Sequence, residues 1–252
     1  MSERLIELQQ IRDEVAADPK GVPPETRKHF WKLVRQIKRE TSPSDDEIVL
    51  AAEIRNLLYK VIRGPTYPMA PILFAEFVGG IIMVWFYMTL LQTPLNWMAL
   101  SDWGLGGWGF LALRFLAIMA VIFFFYPFGR LIAGRWAGIR FEGVGRSQAY
   151  EPTLKIDYVS LLKARPPKRK WFFFFAGFWT IITSIWLSVL GLYLGGDLTG
   201  FIPFILLLLF EGNAVYNGAP KHSFGEMGNY NREKRIEKAW KKRLVREQGM
   251  TD

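Results

Sequence analysis

Long apolar stretches alternate with strongly charged stretches along this chain. Four apolar runs, at about 71–91, 107–128, 171–194 and 198–216, are separated by segments rich in Lys, Arg, Asp and Glu. About 20 apolar residues are enough to cross the hydrocarbon of a bilayer as a helix. The pattern predicts a mostly α-helical, polytopic membrane protein with about four transmembrane helices. The fourth run has only 13 residues, 198–210, before the first charged residue, Glu211, so it is a span or a buried or re-entrant segment.

The distribution of Lys and Arg between the loops predicts the orientation in the membrane. Residues 92–106 and 195–197 contain none, whereas 129–170 contain ten and 211–252 contain nine. Basic loops remain on the cytoplasmic side of a membrane. We therefore expect a multi-pass protein of the cytoplasmic (inner) membrane with both termini in the cytoplasm. Cysteines introduced at Leu100 and Ser147 are expected to be labelled from opposite sides.

The N-terminal segment 1–65 has the periodicity of three amphipathic helices. Apolar residues recur at helical spacing from Leu5 to Val15, then from Phe30 to Ile37, and again from Ile48 to Val61. Ser44 and Glu47 have the spacing of a capping box for the third helix. The segment predicts a small helical domain on the cytoplasmic side. Its acidic and basic residues nearly balance, which does not favour nucleic-acid binding.

Two further soluble segments have patterns of their own. Residues 139–160 alternate apolar and polar positions around Gly and Pro, which predicts a small cytosolic β-hairpin between spans two and three. Residues 229–252 predict a basic amphipathic tail. Its cationic residues surround a short apolar stripe, and the proposed contact set is Lys234, Arg235, Lys238, Trp240, Lys241 and Lys242. This pattern suits the anionic inner leaflet and suits a partner subunit equally well.

The composition restricts the chemistry available to the chain. It has a formal net charge of +9, no cysteine and two histidines, His29 and His222. Without cysteine, thiol nucleophiles and Cys-ligated zinc or iron–sulfur centres are excluded. Two isolated histidines do not make a His-rich metal centre, so we predict no metal and no cofactor.

One stretch resembles a known family. The sequence YPFGRLIAGRWAGIRFEGVG at 126–145 resembles the first core helix and following hairpin of the site-2 proteases, which are intramembrane zinc metalloproteases with an H-E-x-x-H helix. In register, Tyr126 and Arg130 stand where the zinc-binding histidines would be, and Pro127 stands where the catalytic glutamate would be. The stretch 151–178 is similar to the family's run into its next span. The resemblance covers about residues 70–220.

The residues in register exclude the family's chemistry. A catalytic zinc site needs His, Asp, Glu or Cys ligands and a general base. A guanidinium repels Zn²⁺, and Pro127 has no basic group. The resemblance therefore implies a degenerate, catalytically inactive member, and the vacated metal site is Tyr126, Pro127 and Arg130.

Charges within the apolar runs are candidates for function. Arg130 is expected to pair with a carboxylate, with Glu211 as first choice and Glu76 as second. Glu211 falls near the position of the family's third metal ligand. Arg114, in the second run, is expected to extend to the outer surface. The alternative is that Arg114 contacts another subunit or a lipid head group.

These observations favour a non-enzymatic role. The predicted function is a non-catalytic integral membrane subunit that scaffolds or stabilises a larger membrane protein complex. Its expected partners are other membrane subunits and membrane lipids, and not nucleic acid. A small transporter or lipid-handling protein is the alternative function, and an active intramembrane metalloprotease is a remote one.

Overall fold

The computed structural model describes residues 2–146, 152–216 and 225–249. Within these ranges the chain forms nine α-helices and one two-stranded antiparallel hairpin, which confirms the mostly α fold. Its contacts define two compact units. Unit 1 contains Met1–Met69, Ala133–Phe172 and Asn229–Asp252, and unit 2 contains Ala70–Ile132 and Phe173–Gly228. His222 and Ser147 lie outside the described residues.

Unit 1 begins with the three predicted helices, α1 (Glu3–Ala17), α2 (Pro24–Ile37) and α3 (Asp45–Arg63). Each helix buries the apolar face that the sequence indicated. The buried side chains include Leu8, Ile11 and Val15 on α1, Phe30, Leu33, Val34 and Ile37 on α2, and Ile48, Ala51, Ile54 and Leu58 on α3. Burying such a stripe removes apolar area from water, which stabilises the fold by about 25 cal/mol for each Å² buried.

The start of α3 differs from the predicted capping box. Ser44 makes no side-chain capping bond. Glu47 is instead buried, where its carboxylate accepts a hydrogen bond from Ser2 Oγ at 2.7 Å and pairs with Arg4. The sequence pattern was misleading because a tertiary charge partner from α1 engages the glutamate that the cap required.

The predicted hairpin consists of β1 (Phe141–Arg146) and β2 (Pro152–Ile156), which pair antiparallel with a bulge between Phe141 and Gly143. The chain after α3 extends this pairing. Tyr67 N donates to Val144 O at 2.8 Å, and Val144 N donates to Tyr67 O at 3.0 Å. Three chain segments are therefore hydrogen-bonded side by side in unit 1.

Two more helices contribute to unit 1. The short α6 (Tyr158–Lys163) is capped by Asp157, whose carboxylate accepts from Val159 N. The long α9 (Glu226–Gln248) belongs to unit 1 from Asn229 onward. Its buried residues there include Tyr230, Glu233 and Ile236.

The long apolar helices are α4 (Met69–Leu90), α5 (Gly104–Ala137) and α7 (Pro166–Gly195). By length and composition, each of these three is able to cross a membrane. The fourth predicted run forms α8 (Phe201–Tyr216), a shorter apolar helix of 16 residues. The second run was predicted to end at about residue 128, but α5 continues through Pro127 to Ala137.

Unit 2 has its own apolar core. Tyr87 and Leu90 of α4 pack with Ile118 and Val121 of α5 and with Leu187 of α7. Most other side chains of α4 are exposed in the isolated chain, and only 6% of its most apolar 18-residue stretch is buried. Such an apolar exterior is typical of helices that face lipid or other membrane helices.

Candidate functional site

The region in register with the protease metal site contains a cluster of polar side chains in unit 2. Tyr126 and Arg130 are four residues apart on α5 and therefore share a face of the helix. Tyr126 Oη donates to Glu226 Oε1 at 2.7 Å, and Arg130 Nε lies 3.1 Å from the same oxygen. Arg130 and Glu226 are both buried. This Tyr126–Arg130–Glu226 cluster contains two of the three residues that were predicted to stand at a vacated metal site.

The carboxylate of this cluster comes from a residue that the sequence did not indicate. Glu226 is the first residue of α9 and follows Gly225, whose φ of 96° is in the left-handed region. An acidic residue in a first helical turn is stabilised by the helix dipole. The sequence signal was therefore a glycine followed by a glutamate, but the predicted tail began only at residue 229.

The two predicted partners of Arg130 do not pair with it. Glu211, on α8, is close enough to Glu226 for the two carboxylates to repel each other. Glu76 is half-buried on α4, and its Oε2 accepts no hydrogen bond from the described residues. The expected pairing of Arg130 with Glu211 or Glu76 is thus replaced by pairing with Glu226. Pro127 lies inside α5 and donates no backbone hydrogen bond.

The prediction that Arg114 extends to the outer surface is wrong. Only 1% of its surface is exposed, and its Nη1 lies 2.8 Å from Asp197 Oδ1. Arg114 Nη2 also donates to Leu90 O at 2.8 Å and to Thr93 O. The reason is that the turn after α7 brings a carboxylate to the arginine, so the charge is neutralised within unit 2.

Asp197 is itself held by two hydroxyl groups. Tyr87 Oη donates to Asp197 Oδ2 at 3.0 Å, and Thr199 Oγ1 donates to Oδ1 at 2.8 Å. Together with Arg114, these bonds connect the end of α4, the first turns of α5 and the link between α7 and α8. The group is structural in character, because every polar atom of the carboxylate is already engaged within the chain.

The C-terminal helix separates its charges onto two faces. Lys234, Arg235, Lys238, Lys241 and Lys242 are exposed, and Trp240 is half-buried. Two acidic residues of the same helix, Glu233 and Glu237, are buried. Glu233 is buried, with Lys38 Nζ 2.5 Å from Oε1 and Arg169 Nε 2.8 Å from Oε2. The five exposed cations form the basic outer face of α9. On the opposite side of the helix, Glu233 and Glu237 hold it in place through their ion pairs.

The cations that contact Glu233 also lower the pKa of its carboxyl group. Burial alone raises the pKa of this carboxyl, but the nearby Lys38 and Arg169 outweigh that effect and hold the pKa below its usual range. Arg169 is fixed by further bonds, since its Nη2 donates to Lys38 O at 2.9 Å and its Nη1 to Ala164 O at 2.6 Å. Glu237 repeats the arrangement nearby, 2.7 Å from Lys170 Nζ.

Potential metal ligands are scattered through the described ranges. In the part of the chain that the structure describes, no three His, Cys, Asp or Glu side chains come together as a metal site requires. His29 lies on the surface of α2, where its Nε2 is 2.8 Å from Glu7 Oε2. The chemistry of the Tyr126–Arg130–Glu226 cluster is that of an ion pair with a hydrogen-bonded phenol.

Comparisons with known proteins provide no relative for this chain. No family model, no curated protein and no solved structure matches it. The resemblance to the site-2 proteases therefore stays a prediction from the residues that carry it.

Proposed function

We propose that this protein is a non-catalytic integral membrane subunit that scaffolds or stabilises a larger membrane protein complex, on a core that resembles the site-2 proteases. The observation that carries the proposal is the Tyr126–Arg130–Glu226 cluster. The two positions in register with the zinc ligands, Tyr126 and Arg130, are used for an internal hydrogen bond and an ion pair with Glu226. A buried guanidinium at that place repels a metal cation.

The proposed membrane arrangement follows from the helices and the charges. The three long apolar helices α4, α5 and α7 are the spans, with α8 as the fourth membrane segment. The Lys- and Arg-rich segments 129–170 and 211–252 then lie on the cytoplasmic side with both termini. The N-terminal helices α1 to α3 form the cytosolic domain of this subunit.

The partner surface in this proposal is the basic outer face of α9. The five exposed cations of the predicted contact set are presented by a helix whose inner face is anchored through Glu233 and Glu237. A rigid helix loses little conformational freedom on binding, which favours association. Complementary acidic surface on a partner subunit, or anionic lipid, would bind there.

Native purification with matched variants tests the proposal. The variant K234E/K238E/K242E reverses three exposed charges on the basic outer face, and K20E/K32E/K60E reverses three exposed charges on α1 to α3 and their links. In mild detergent we expect the wild type and the second variant to migrate in one complex of fixed stoichiometry. The first variant is expected to migrate alone. A wild-type chain that runs as a free monomer contradicts the scaffold proposal.

The pseudoprotease part has a separate test. We expect the full chain, expressed with added zinc and purified in detergent, to contain far less than one zinc per chain by elemental analysis. The variant R130L should not change that result, because it supplies no ligand. Stoichiometric zinc that is lost in the double variant Y126F/E226Q would refute the inactive core.

A further inference from the structure

A cleft in unit 1 is independent of the cluster and of the basic outer face of α9. Its volume is about 640 Å³, within the range of about 300–1,000 Å³ typical of small-ligand pockets. The lining comes from the end of α5 and the residues just after it, from α6 and its N-cap, and from the link between α6 and the first residues of α7. Four cationic side chains line it, from Arg140, Lys163, Arg165 and Lys168.

The charges of this cleft are not balanced within the chain. The one acidic residue in the lining, Asp157, uses its carboxylate to cap α6 through Val159 N at 3.0 Å. Lys163 pairs with Asp45 at 2.8 Å. The side chains of Arg140, Arg165 and Lys168 make no hydrogen bond or ion pair within the described ranges. Arg140, Arg165 and Lys168 are therefore available to bind an anionic ligand in the cleft.

The backbone around the cleft is firmly fixed. Gly138, with a φ of 76°, ends α5, and Ile139 N donates to Gly134 O at 2.8 Å as in a Schellman motif. Arg140 is then tied on both sides: its N–H donates to Ser160 Oγ at 2.9 Å, and its carbonyl accepts from Asp157 N at 2.9 Å. The cationic side chains therefore project from a preorganised frame.

We infer that this cleft binds a phosphate group, and that the ligand is the head group of an anionic phospholipid. Arginine and lysine side chains bind phosphate through charge-assisted hydrogen bonds. The helices α5 and α7 are long and apolar enough to cross a membrane, and each has one end at this cleft: α5 finishes there and α7 begins there. Basic pockets at the ends of membrane helices are where lipid head groups bind. The inference rests on the proposed membrane arrangement of α5 and α7 and does not depend on the scaffold role.

Short-chain lipids provide the test on the full chain in non-ionic detergent. Thermal unfolding is followed by tryptophan fluorescence during titration with dihexanoyl phosphatidylglycerol, dihexanoyl phosphatidylcholine or inorganic phosphate. We expect a saturable rise in midpoint with the anionic lipid, weakened by added salt, and little response to the zwitterionic lipid. The variant R140Q/R165Q/K168Q should bind the anionic lipid at least about tenfold more weakly.

A matched variant separates the site from general charge effects. K20Q/K32Q/K60Q removes the same number of exposed cations outside the cleft and should keep the wild-type affinity. If the triple cleft variant unfolds without ligand, R165Q/K168Q replaces it. Equal responses to both lipids, or unchanged affinity in the cleft variant, overturn the inference. A full response to inorganic phosphate at equal or lower concentration overturns the lipid assignment in favour of free phosphate.

Discussion

At the scale of single residues, the buried Arg114 and Asp197 bind each other and further polar groups within unit 2. Arg114 is bound by Asp197 and by two backbone carbonyls, and Asp197 is bound by two hydroxyl groups as well. Placing such a pair in an apolar surrounding is costly, and the geometry recovers that cost only if every donor and acceptor is engaged. Removing one partner leaves the other charge buried.

We predict that Arg114→Leu strongly destabilises the protein. The loss should be about 3–5 kcal/mol in the free energy of unfolding, because Asp197 stays buried without its cation. The thermal midpoint in detergent should fall by on the order of 10 °C. The double variant R114L/D197N should regain part of the loss, since the amide keeps an acceptor for the hydroxyl groups.

The exposed Arg135 on the same helix provides the control for this prediction. Arg135→Leu should change the free energy of unfolding by less than about 0.5 kcal/mol, as surface substitutions generally do. Equal effects of R114L and R135L would show that the buried ion pair does not contribute to stability.

A second residue-scale prediction concerns Gly143 in β1. A Cβ atom there would collide with the carbonyl oxygen of Tyr67 and lie 2.7 Å from the Thr66 methyl group. Backbone cannot move aside as a flexible side chain can. Gly143→Ala should therefore disrupt the Tyr67–Val144 hydrogen bonds and cost about 1–3 kcal/mol. Thermal unfolding measures the loss.

Gly109 is the matched control, because nothing lies within 4 Å of a Cβ at that helical position. Gly109→Ala should be neutral or stabilising, by up to about 1 kcal/mol, since alanine favours helix. A G143A variant as stable as the wild type would show that the hairpin tolerates a different register.

At the scale of elements, α9 is held to unit 1 by charges on its inner face. Glu233 pairs with Lys38, in the turn after α2, and with Arg169, in the first turns of α7. Thr41 Oγ1 also donates to Glu247 Oε2 at 2.7 Å near the far end of the helix. The docking of this helix should therefore depend on the ionisation of Glu233.

The direction of that pH dependence follows from the pKa of Glu233. Because the folded pKa is depressed by Lys38 and Arg169, the ionised carboxylate stabilises the fold above the unfolded pKa, about 4.3. This stabilisation is lost as the pH falls through the depressed folded value. We predict that protection of residues 229–248 against hydrogen exchange, relative to the intrinsic exchange rate at each pH, is high at pH 7 and falls below about pH 4.

Two substitutions check the assignment. Glu233→Gln should lower the protection of α9 against exchange already at pH 7, because Lys38 and Arg169 then lack their anion. The same variant should show little further loss of protection in acid. Glu25→Gln, which removes a surface ion pair with Lys28, should leave exchange in α9 unchanged. If E233Q keeps the full acid response of the wild type, other carboxylates cause it.

At the scale of the whole molecule, the separation of apolar helices from charged segments is the basis of the proposed membrane topology. The absence of cysteine allows a direct test with single cysteines. We predict that M98C, before the first turn of α5, and K60C, on α3, react with a membrane-impermeant maleimide from opposite sides. Both positions are exposed. Labelling of both from one side would contradict the proposed orientation.

The elements of this fold were predictable because they depend on local periodicity. The three N-terminal helices and the two strands of the hairpin follow from side-chain spacing of 3.6 or 2 residues, and the long apolar helices follow from the length of the apolar runs. The ends of the elements were less predictable. The helix α5 continues past Pro127 because the bonds on either side of one missing N–H are sufficient to hold it.

The sequence by itself determined the mostly α fold, the apolar helices and the absence of thiol chemistry, because these depend on residue types and on near neighbours. Only the tertiary structure decided which charges meet. Glu226 pairs with Arg130, Asp197 with Arg114, and Glu233 with Arg169. Each pair joins residues far apart in the chain, and the burial that makes a partner necessary arises only when the helices pack.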